Sequence, residues 1–266
     1  MTDIAMVGAG GRMGRMIITA MDTDDDLNLI GAVERPDHPF LGRPVHEVMG
    51  CGPQEVVFTE QLPESCDVVV DFSAAENVTG TAAACAEIGA ALMVGTTGLD
   101  NEARTALERA SASVPVLLAS NTSPGINLLL RTVREVAGAL GMDYDIEIVE
   151  THHHHKKDAP SGTALSLAES AAEGRGQTLN DVACFGRQGQ VGARPRGEIG
   201  LHAVRGGDVV GEHRVLFAGA GELIEITHRA QSREVLARGA VRAARFLAGK
   251  PAGRYTMEDV LFGRSG

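Results

Sequence analysis

The residues best suited to proton chemistry stand together. Glu150-Thr151-His152-His153-His154-His155-Lys156-Lys157-Asp158-Ala159-Pro160-Ser161-Gly162-Thr163-Ala164 holds four histidines and two lysines in six successive positions. A histidine titrates near neutral pH and can pass a proton to or from a reacting atom, while a lysine can hold an anion. Pro160, Ser161, Gly162 and Thr163 then open a predicted helix that runs through Ala172. The first N–H groups of a helix have no partner within it, so this start can receive a carboxylate, with Ser161 as its cap. An affinity tag is disfavoured because the segment is internal and follows an alternating strand. A metal site is disfavoured because successive residues of extended chain face opposite ways, so at most two histidines reach one ion easily. No metal ligands are expected.

A second constellation lies near the start. Val7-Gly8-Ala9-Gly10-Gly11-Arg12-Met13-Gly14 follows the first apolar run and opens the first predicted helix. Its sixth position is Met13, so it departs from G-x-G-x-x-G; Gly8, Gly11 and Gly14 give G-x-x-G-x-x-G. Glycines there allow a tight turn, contact between backbone N–H groups and a pyrophosphate, and a helix start close to the sheet. Arg12 can also approach phosphate. Glu34 closes the second apolar run, 20 residues after Gly14. A carboxylate in that place can accept hydrogen bonds from an adenosine ribose, and Arg35 beside it can pair with a 2′-phosphate, so both NADH and NADPH fit. The other reading of Glu34 and Arg35 is two polar residues at a strand end. Gly95-Thr96-Thr97-Gly98 and Ser120-Asn121-Thr122-Ser123-Pro124-Gly125 each follow a predicted strand. Small hydroxyl and amide residues at such strand ends suit a nicotinamide carboxamide, or equally a capped helix start.

These groups need a scaffold, and the periodicity supplies one. Ile4–Gly8, Leu29–Val33, Asp67–Phe72, Ala91–Gly95 and Val114–Ala119 are short apolar runs expected as buried parallel strands. Met13–Met21, Glu76–Ala90 and Glu102–Ala112 between them are predicted helices. Such alternation implies a doubly wound, Rossmann-like α/β sheet. The pattern changes near Pro124. Ile126–Leu140 is a predicted helix, and Asp145–Glu150, Ile199–Val204 and Glu222–His228 alternate polar and apolar residues. Arg205-Gly206-Gly207-Asp208 and Ala218–Gly221 read as tight turns between strands. That argues for an α+β region with an open mixed sheet. Ser232–Ala248 is a predicted helix stopped by Gly249 and Pro251, able to return to the first domain. The expected division is 1–123 completed by 233–266, with 124–232 as the second domain.

Composition narrows the partners. A chain of 266 residues, 44 % hydrophobic and 22 % charged, has ordinary globular usage, which excludes a disordered tail, a fibrous repeat or a coiled coil. Its formal charge of −11 repels nucleic acid and anionic membrane, so neither is an expected partner. With 3 % aromatic residues and no Trp, a site built on aromatic stacking is not expected. No apolar run reaches a membrane-spanning length, and Met-Thr-Asp-Ile-Ala lacks the basic start of a secretory signal. Cys51, Cys66, Cys85 and Cys184 form no C-x-x-C pair, as expected of reduced thiols in a cytosolic enzyme.

The chain resembles the 4-hydroxy-tetrahydrodipicolinate reductase, or dihydrodipicolinate reductase, family. The resemblance is carried by His152-His153-x-x-Lys156-x-Asp158-Ala159-Pro160-Ser161-Gly162-Thr163-Ala164. Gly8–Gly14, Gly95-Thr96-Thr97-Gly98, Arg205-x-Gly207-Asp208-x-x-Gly211-Glu212-His213 and Glu225-Ile226-Thr227-His228 support it, so it covers nearly the whole chain. One departure is Thr122, where relatives often carry an aromatic residue after the Asn. The resemblance implies His152 as general acid/base and Lys156 as a proton donor that also holds substrate. It implies His153, Gly162 and Thr163 as carboxylate-binding residues. Gly8, Ala9, Gly10, Gly11, Arg12 and Met13 would cradle the cofactor pyrophosphate, with Glu34 and Arg35 at its ribose. Gly95, Thr96, Thr97, Ala119, Ser120, Asn121 and Thr122 would line the nicotinamide end. The implied substrate is a small cyclic imine dicarboxylate, reduced with NADH or NADPH in the diaminopimelate route to lysine. The implied setting is a cytoplasmic homotetramer built through the second domain's sheet. The rivals are a reductase of the same fold acting on an amino-acid semialdehyde or aspartate, a sensor that holds NAD(H) without turnover, and a histidine-rich metal module.

Overall fold

β1 (Thr2–Val7) buries Ile4, Ala5 and Met6 completely, the two-sided burial that a central parallel strand needs. In this computed structural model, which describes residues 1–263, a glycine-rich turn leads from β1 into α1 (Arg12–Met21). Ile17, Ile18 and Met21 of that helix join the core beside Ile4 and Met6. The alternation continues through β2 (Leu27–Val33), α2 (Val45–Met49), β3 (Phe58–Thr59), β4 (Val68–Asp71), α3 (Val78–Ile88), β5 (Ala91–Val94), α4 (Asn101–Ala110) and β6 (Pro115–Leu118). The helix predicted over Glu76–Ala90 is shorter. A 3₁₀ turn at Ala75–Asn77 precedes α3, and Gly89 ends it at φ +72°, a left-handed position that glycine fills without a Cβ clash.

The chain divides into two compact units, one of Met1–Pro124 with the residues from Glu234 on, the other Gly125–Arg233. The second holds most of α5 (Pro124–Leu140), then β7 (Asp145–His152), α6 (Gly162–Gly174), α7 (Leu179–Val182), β8 (Ala183–Phe185), β9 (Ile199–Arg205), β10 (Gly211–Gly219) and β11 (Glu222–Ala230). Its five strands run in the order β11-β10-β7-β9-β8. β7 is antiparallel to β10 and parallel to β9, so the sheet is mixed. Ile146 and Ile148 of β7 face Leu167, Ala168 and Ala171 of α6 and Leu129 and Val133 of α5 in one apolar cluster. The other face of β7 carries Asp145, Glu147, Val149 and Thr151. There Glu147 binds Arg187 through Nη2 at 2.8 Å, Arg194 through Nε at 2.9 Å and His202 through Nε2 at 2.7 Å. Burial alone would raise the Glu147 carboxyl, but bonds from Arg187, His202 and Arg194 outweigh it and hold it at about 2.

Two sequence expectations need adjustment here. Arg205-Gly206-Gly207-Asp208 is not a turn between paired strands. β9 and β10 lie on opposite sides of β7, so this link crosses the end of β7. Ala220 and Gly221 do form a two-residue link, with Gly221 at φ +88°, and β10 pairs there with β11. β10 itself is not among the predicted strands, although both its bounding turns are.

The first unit is finished by the end of the chain. α8 (Glu234–Leu247) packs against α1, β4 and β5, burying Ala237, Ala240, Ala244 and Leu247. β12 (Gly253–Tyr255) then pairs in parallel with β6, and α9 (Met257–Phe262) follows. The completed sheet has seven strands in the order β12-β6-β5-β4-β1-β2-β3. Its order reverses beside β1, between β2 and β4, the place where open α/β sheets bind ligands at their carboxyl ends. Of the expected C-terminal segment 233–266, Arg264, Ser265 and Gly266 lie outside the described residues. No described helix is long and apolar enough to cross a membrane.

Candidate functional site

In the first unit, Gly8 takes φ +77° just past β1. The N–H groups of Gly8 and Ala9 donate to the Val33 carbonyl at 2.9 and 3.2 Å, fastening the turn to the end of β2. A Cβ on Gly14 would stand 2.2 Å from the Gly8 carbonyl oxygen, an approach that only glycine permits. Gly11 is the N-cap of α1, no side chain caps the helix, and its first turn holds no acidic residue. Arg12 and Met13 therefore begin a helix whose N-terminal dipole is left for an incoming anion. Glu34 lies against this turn, its Oε1 accepting the Gly10 N–H at 2.7 Å and its Oε2 the Arg35 N–H at 3.2 Å. A cleft of about 980 Å³ runs past Gly8, Gly11, Glu34, Arg35, His38 and Ser73. A glycine cradle, an uncapped helix start and a carboxylate beside a long cleft fit a dinucleotide. His38 is a cleft residue that sequence reasoning missed. It sits four residues after Glu34, with Nε2 3.9 Å from Glu34 Oε2.

Asp71 organises the neighbouring strand ends. Its Oδ1 accepts from the Ser73 N–H at 2.9 Å, the Ser73 hydroxyl at 2.7 Å and the Thr96 hydroxyl at 2.9 Å. The loops after β4 and β5 are thus tied to one fully buried carboxylate. The Gly95 N–H also donates to the Asp71 carbonyl at 2.9 Å, while Thr97 is exposed. After β6, Ala119 is buried, Ser120 is exposed, and Asn121 Oδ1 accepts the Ser123 N–H at 2.9 Å. Thr122 is buried and donates its hydroxyl to the Leu236 carbonyl of α8 at 2.6 Å. Its side chain therefore fastens the loop to a helix.

In the second unit, β7 delivers the histidines. Its inner face carries Ile146, Ile148, Glu150 and His152, and Glu150 is 1 % exposed and His152 9 %. His152 Nδ1 lies 2.5 Å from Glu150 Oε2. Arg205 grips the same carboxylate with both arms, Nη1 at 2.8 Å from Oε2 and Nη2 at 2.7 Å from Oε1. The Ser161 N–H donates to Oε1 at 3.0 Å. Burial alone would raise the Glu150 carboxyl, but the bonds from Arg205, His152 and Ser161 hold it below the ordinary range. Ser161 is also the N-cap of α6, its Oγ accepting the Ala164 N–H at 3.2 Å and contacting His213 Nε2 at 3.1 Å. The His213 ring meets His152 edge-on with centroids 5.1 Å apart. Burial first, and the neighbouring His152 second, push His213 down to about 4.

Beyond His152 the chain leaves the strand. The crossing link holds it, with the His153 N–H on the Val209 carbonyl at 2.8 Å and the Gly206 N–H on the His152 carbonyl at 3.0 Å. His154 and His155 are exposed, their rings tilted by 50° with centroids 3.9 Å apart. Lys156 pairs through Nζ with Asp158 Oδ1 at 2.9 Å, which holds the Asp158 carboxyl below its usual value. Gly162 and Thr163 are the first two residues of α6. So His152, Lys156, Gly162 and Thr163 belong to one strand-to-helix passage, with His153 at its bend. Among the described residues, no group of three or more His, Cys, Asp or Glu could hold a metal ion. Sequence reasoning names Ser161 as the cap of α6, as found, but gives Glu150, Arg205 and His213 no role in the site. Glu150 had a signal, since it occupies an apolar position in the alternation of β7.

Residues 2–122 match the family described as dihydrodipicolinate reductase, N-terminus, and residues 125–261 match dihydrodipicolinate reductase, C-terminus. A relative from Alkalilimnicola ehrlichii named 4-hydroxy-tetrahydrodipicolinate reductase is 48 % identical over 263 residues, covering 98 % of either chain. Another of that name from Ruegeria pomeroyi is 49 % identical over 261 residues, covering 97 % of either chain. A solved dipicolinate-bound dihydrodipicolinate reductase from Paenisporosarcina sp. TG-14 shares the fold at a TM-score of 0.75 and 22 % identity, over 96 % of this chain and 97 % of that one. Sequence, fold and the two residue constellations agree: the chain belongs to the dihydrodipicolinate reductase family.

Proposed function

We propose that this protein reduces 4-hydroxy-tetrahydrodipicolinate to tetrahydrodipicolinate with loss of water, using NADH or NADPH, in the diaminopimelate route of lysine biosynthesis. The observation that carries this reading is His152, bound through Nδ1 to buried Glu150 at 2.5 Å, on the strand that leads past Lys156 into the Gly162–Thr163 helix start. Relatives at 48 and 49 % identity bear the name of this activity.

Residues 1–123 with 233–266 are the dinucleotide-binding domain, and 124–232 binds substrate. Gly8, Ala9, Gly10, Gly11, Arg12 and Met13 hold the pyrophosphate, and Glu34 and Arg35 the adenosine ribose. Gly95, Thr96, Thr97, Ala119, Ser120, Asn121 and Thr122 form the nicotinamide end. When bound, the cofactor supplies hydride from C4 of its nicotinamide to the conjugated imine left by loss of the ring hydroxyl. Hydride addition builds negative charge on carbon and nitrogen. His152 acts as general acid/base there, with Nε2 as its working nitrogen, and such proton transfer contributes about 10²–10⁴-fold in rate. Lys156 releases Asp158 to donate a proton and hold the substrate. Gly162, Thr163 and His153 receive a carboxylate, where backbone N–H groups of α6 fix it without bulk water.

The enzyme works in the cytoplasm as a homotetramer. Val149 and Val204 stand on the outer face of the second sheet with Leu216 and Leu223, and Val204 and Leu223 are exposed, which favours a face covered by another copy. Incubation with the condensation product of pyruvate and aspartate semialdehyde tests the reaction. Substrate-dependent oxidation of NADPH or NADH is expected. Cofactor binding without turnover would point to a sensor and overturn the proposal.

A further inference from the structure

We propose that Glu150 and Arg205 are a positioning pair for His152. Glu150 decides which ring nitrogen carries the proton, and Arg205 limits how tightly the doubly protonated ring is held. This rests on the reading of His152 as the proton-transfer residue.

An ionised carboxylate can only accept, so Glu150 Oε2, 2.5 Å from His152 Nδ1, selects the Nδ1–H form of the neutral ring. That leaves Nε2 as the nitrogen able to take up and return a proton. The neighbouring strand keeps its surroundings open, because position 211 is glycine and a Cβ there would lie 3.1 Å from His152 Nε2.

The second half of the inference concerns charge. A carboxylate that is 1 % exposed is costly unless its charge is compensated. If His152 alone compensated it, the imidazolium would be strongly favoured and slow to give its proton back. Arg205 removes that burden by binding both oxygens at 2.7 and 2.8 Å. Its guanidinium is itself held, with Nη2 on the Asp158 carbonyl and Nη1 on the Val204 carbonyl, each at 2.7 Å. His152 therefore faces an already neutralised ion pair and can change protonation state during turnover. The other charged or titratable groups around it are His213 on β10, His153 and Lys156 on the turn that follows, and Asp158 ahead of α6. None of these contacts the Glu150 side chain in the way that Arg205 does.

The test uses the full-length protein with ¹⁵N-labelled histidine and reads the His152 ring by NMR without ligand. Wild type is expected to show the Nδ1–H tautomer. Glu150→Gln is expected to lose that preference and to lower kcat by roughly 10²–10⁴-fold with the KM for NADPH within about twofold. Arg205→Gln is expected to move the His152 ring titration to higher pH, with the pH profile of kcat/KM moving the same way. Arg205→Lys, which keeps the charge, should stay close to wild type. Should Glu150→Gln not fold, Glu150→Asp, whose carboxylate is withdrawn by one methylene, should weaken the tautomer preference. An unchanged tautomer in a folded Glu150 variant, or an unchanged His152 titration in Arg205→Gln, overturns the proposal. If both ring signals move as expected while His152→Ala keeps its kcat, the pair stands and the catalytic reading of His152 falls.

Discussion

The two helices that open the binding regions begin in opposite ways. α1 starts on Gly11 with no side-chain cap, and its turn is bound by backbone groups and closed by the Gly8–Gly14 approach. α6 starts on Ser161, whose hydroxyl takes the Ala164 N–H and whose own N–H is held by Glu150. One region is mostly main chain and admits no Cβ at Gly8 or Gly14. The other is a connected set of titratable side chains in which each charge is met by a partner. A main-chain cradle serves a polyanion whose chemistry happens elsewhere, whereas a proton-transfer site must hold and adjust protons. The two regions should therefore fail differently.

The largest effect is expected from His152→Ala, with kcat reduced by roughly 10²–10⁴-fold and KM changed far less, because proton transfer acts in the transition state. Steady-state kinetics decide this, and an unchanged kcat removes His152 from the chemistry. Next comes acid sensitivity. His213 falls from an ordinary 6.5 to about 4 on folding. Between those pH values the unfolded chain binds a proton that the folded chain refuses, so stability is present above pH 6.5 and lost as pH falls through 4. The loss amounts to about 3 kcal/mol. Denaturant unfolding from pH 7 to 4 should show this slope, and His213→Gln should flatten it. Glu147, lowered from 4.5 to about 2, loses its contribution between those values and so overlaps that window only below pH 4.5. A slope equally steep in His213→Gln would place the acid-sensitive group elsewhere.

Gly14→Ala attacks the other region. Its Cβ would fall 2.2 Å from the Gly8 carbonyl oxygen, costing on the order of 1–3 kcal/mol and weakening cofactor binding. Thermal unfolding with and without NADPH measures both, and an unchanged NADPH affinity would detach the glycine turn from the cofactor. The smallest effect is expected from Arg35→Ala, which should weaken NADPH several-fold more than NADH through loss of a charge partner for the 2′-phosphate. Equal losses would mean that Arg35 does not distinguish them.

How far the sequence carried depended on the length and locality of each signal. β1, β2, β4, β5 and β6 are apolar runs buried on both sides, and their composition announces them. β3, β8 and β12 are two or three residues long and owe their existence to neighbours already in place. β10 hides because Leu216 and Ala218 break its polar face. The glycine turn and the histidine segment are contiguous in sequence and could be read directly. Arg205 lies 55 residues from Glu150, and His213 lies 52 from Ser161. Those contacts follow from strand order, with β7 between β9 and β10, and no local pattern encodes that order. Asp71 could be seen only as a strand end until Thr96 and Ser73 were placed beside it.

The return of α8 and β12 to the first sheet has a consequence for how the protein is made. The second unit is one uninterrupted stretch, so all of it has left the ribosome before α8 does. The first unit, begun earlier, stays incomplete until α8 and β12 emerge. Until then the face of β4 and β5 that Ala240 and Ala244 cover is open to water, a surface of the kind that aggregates or recruits chaperones. The half that is translated first must therefore be the half that finishes folding last.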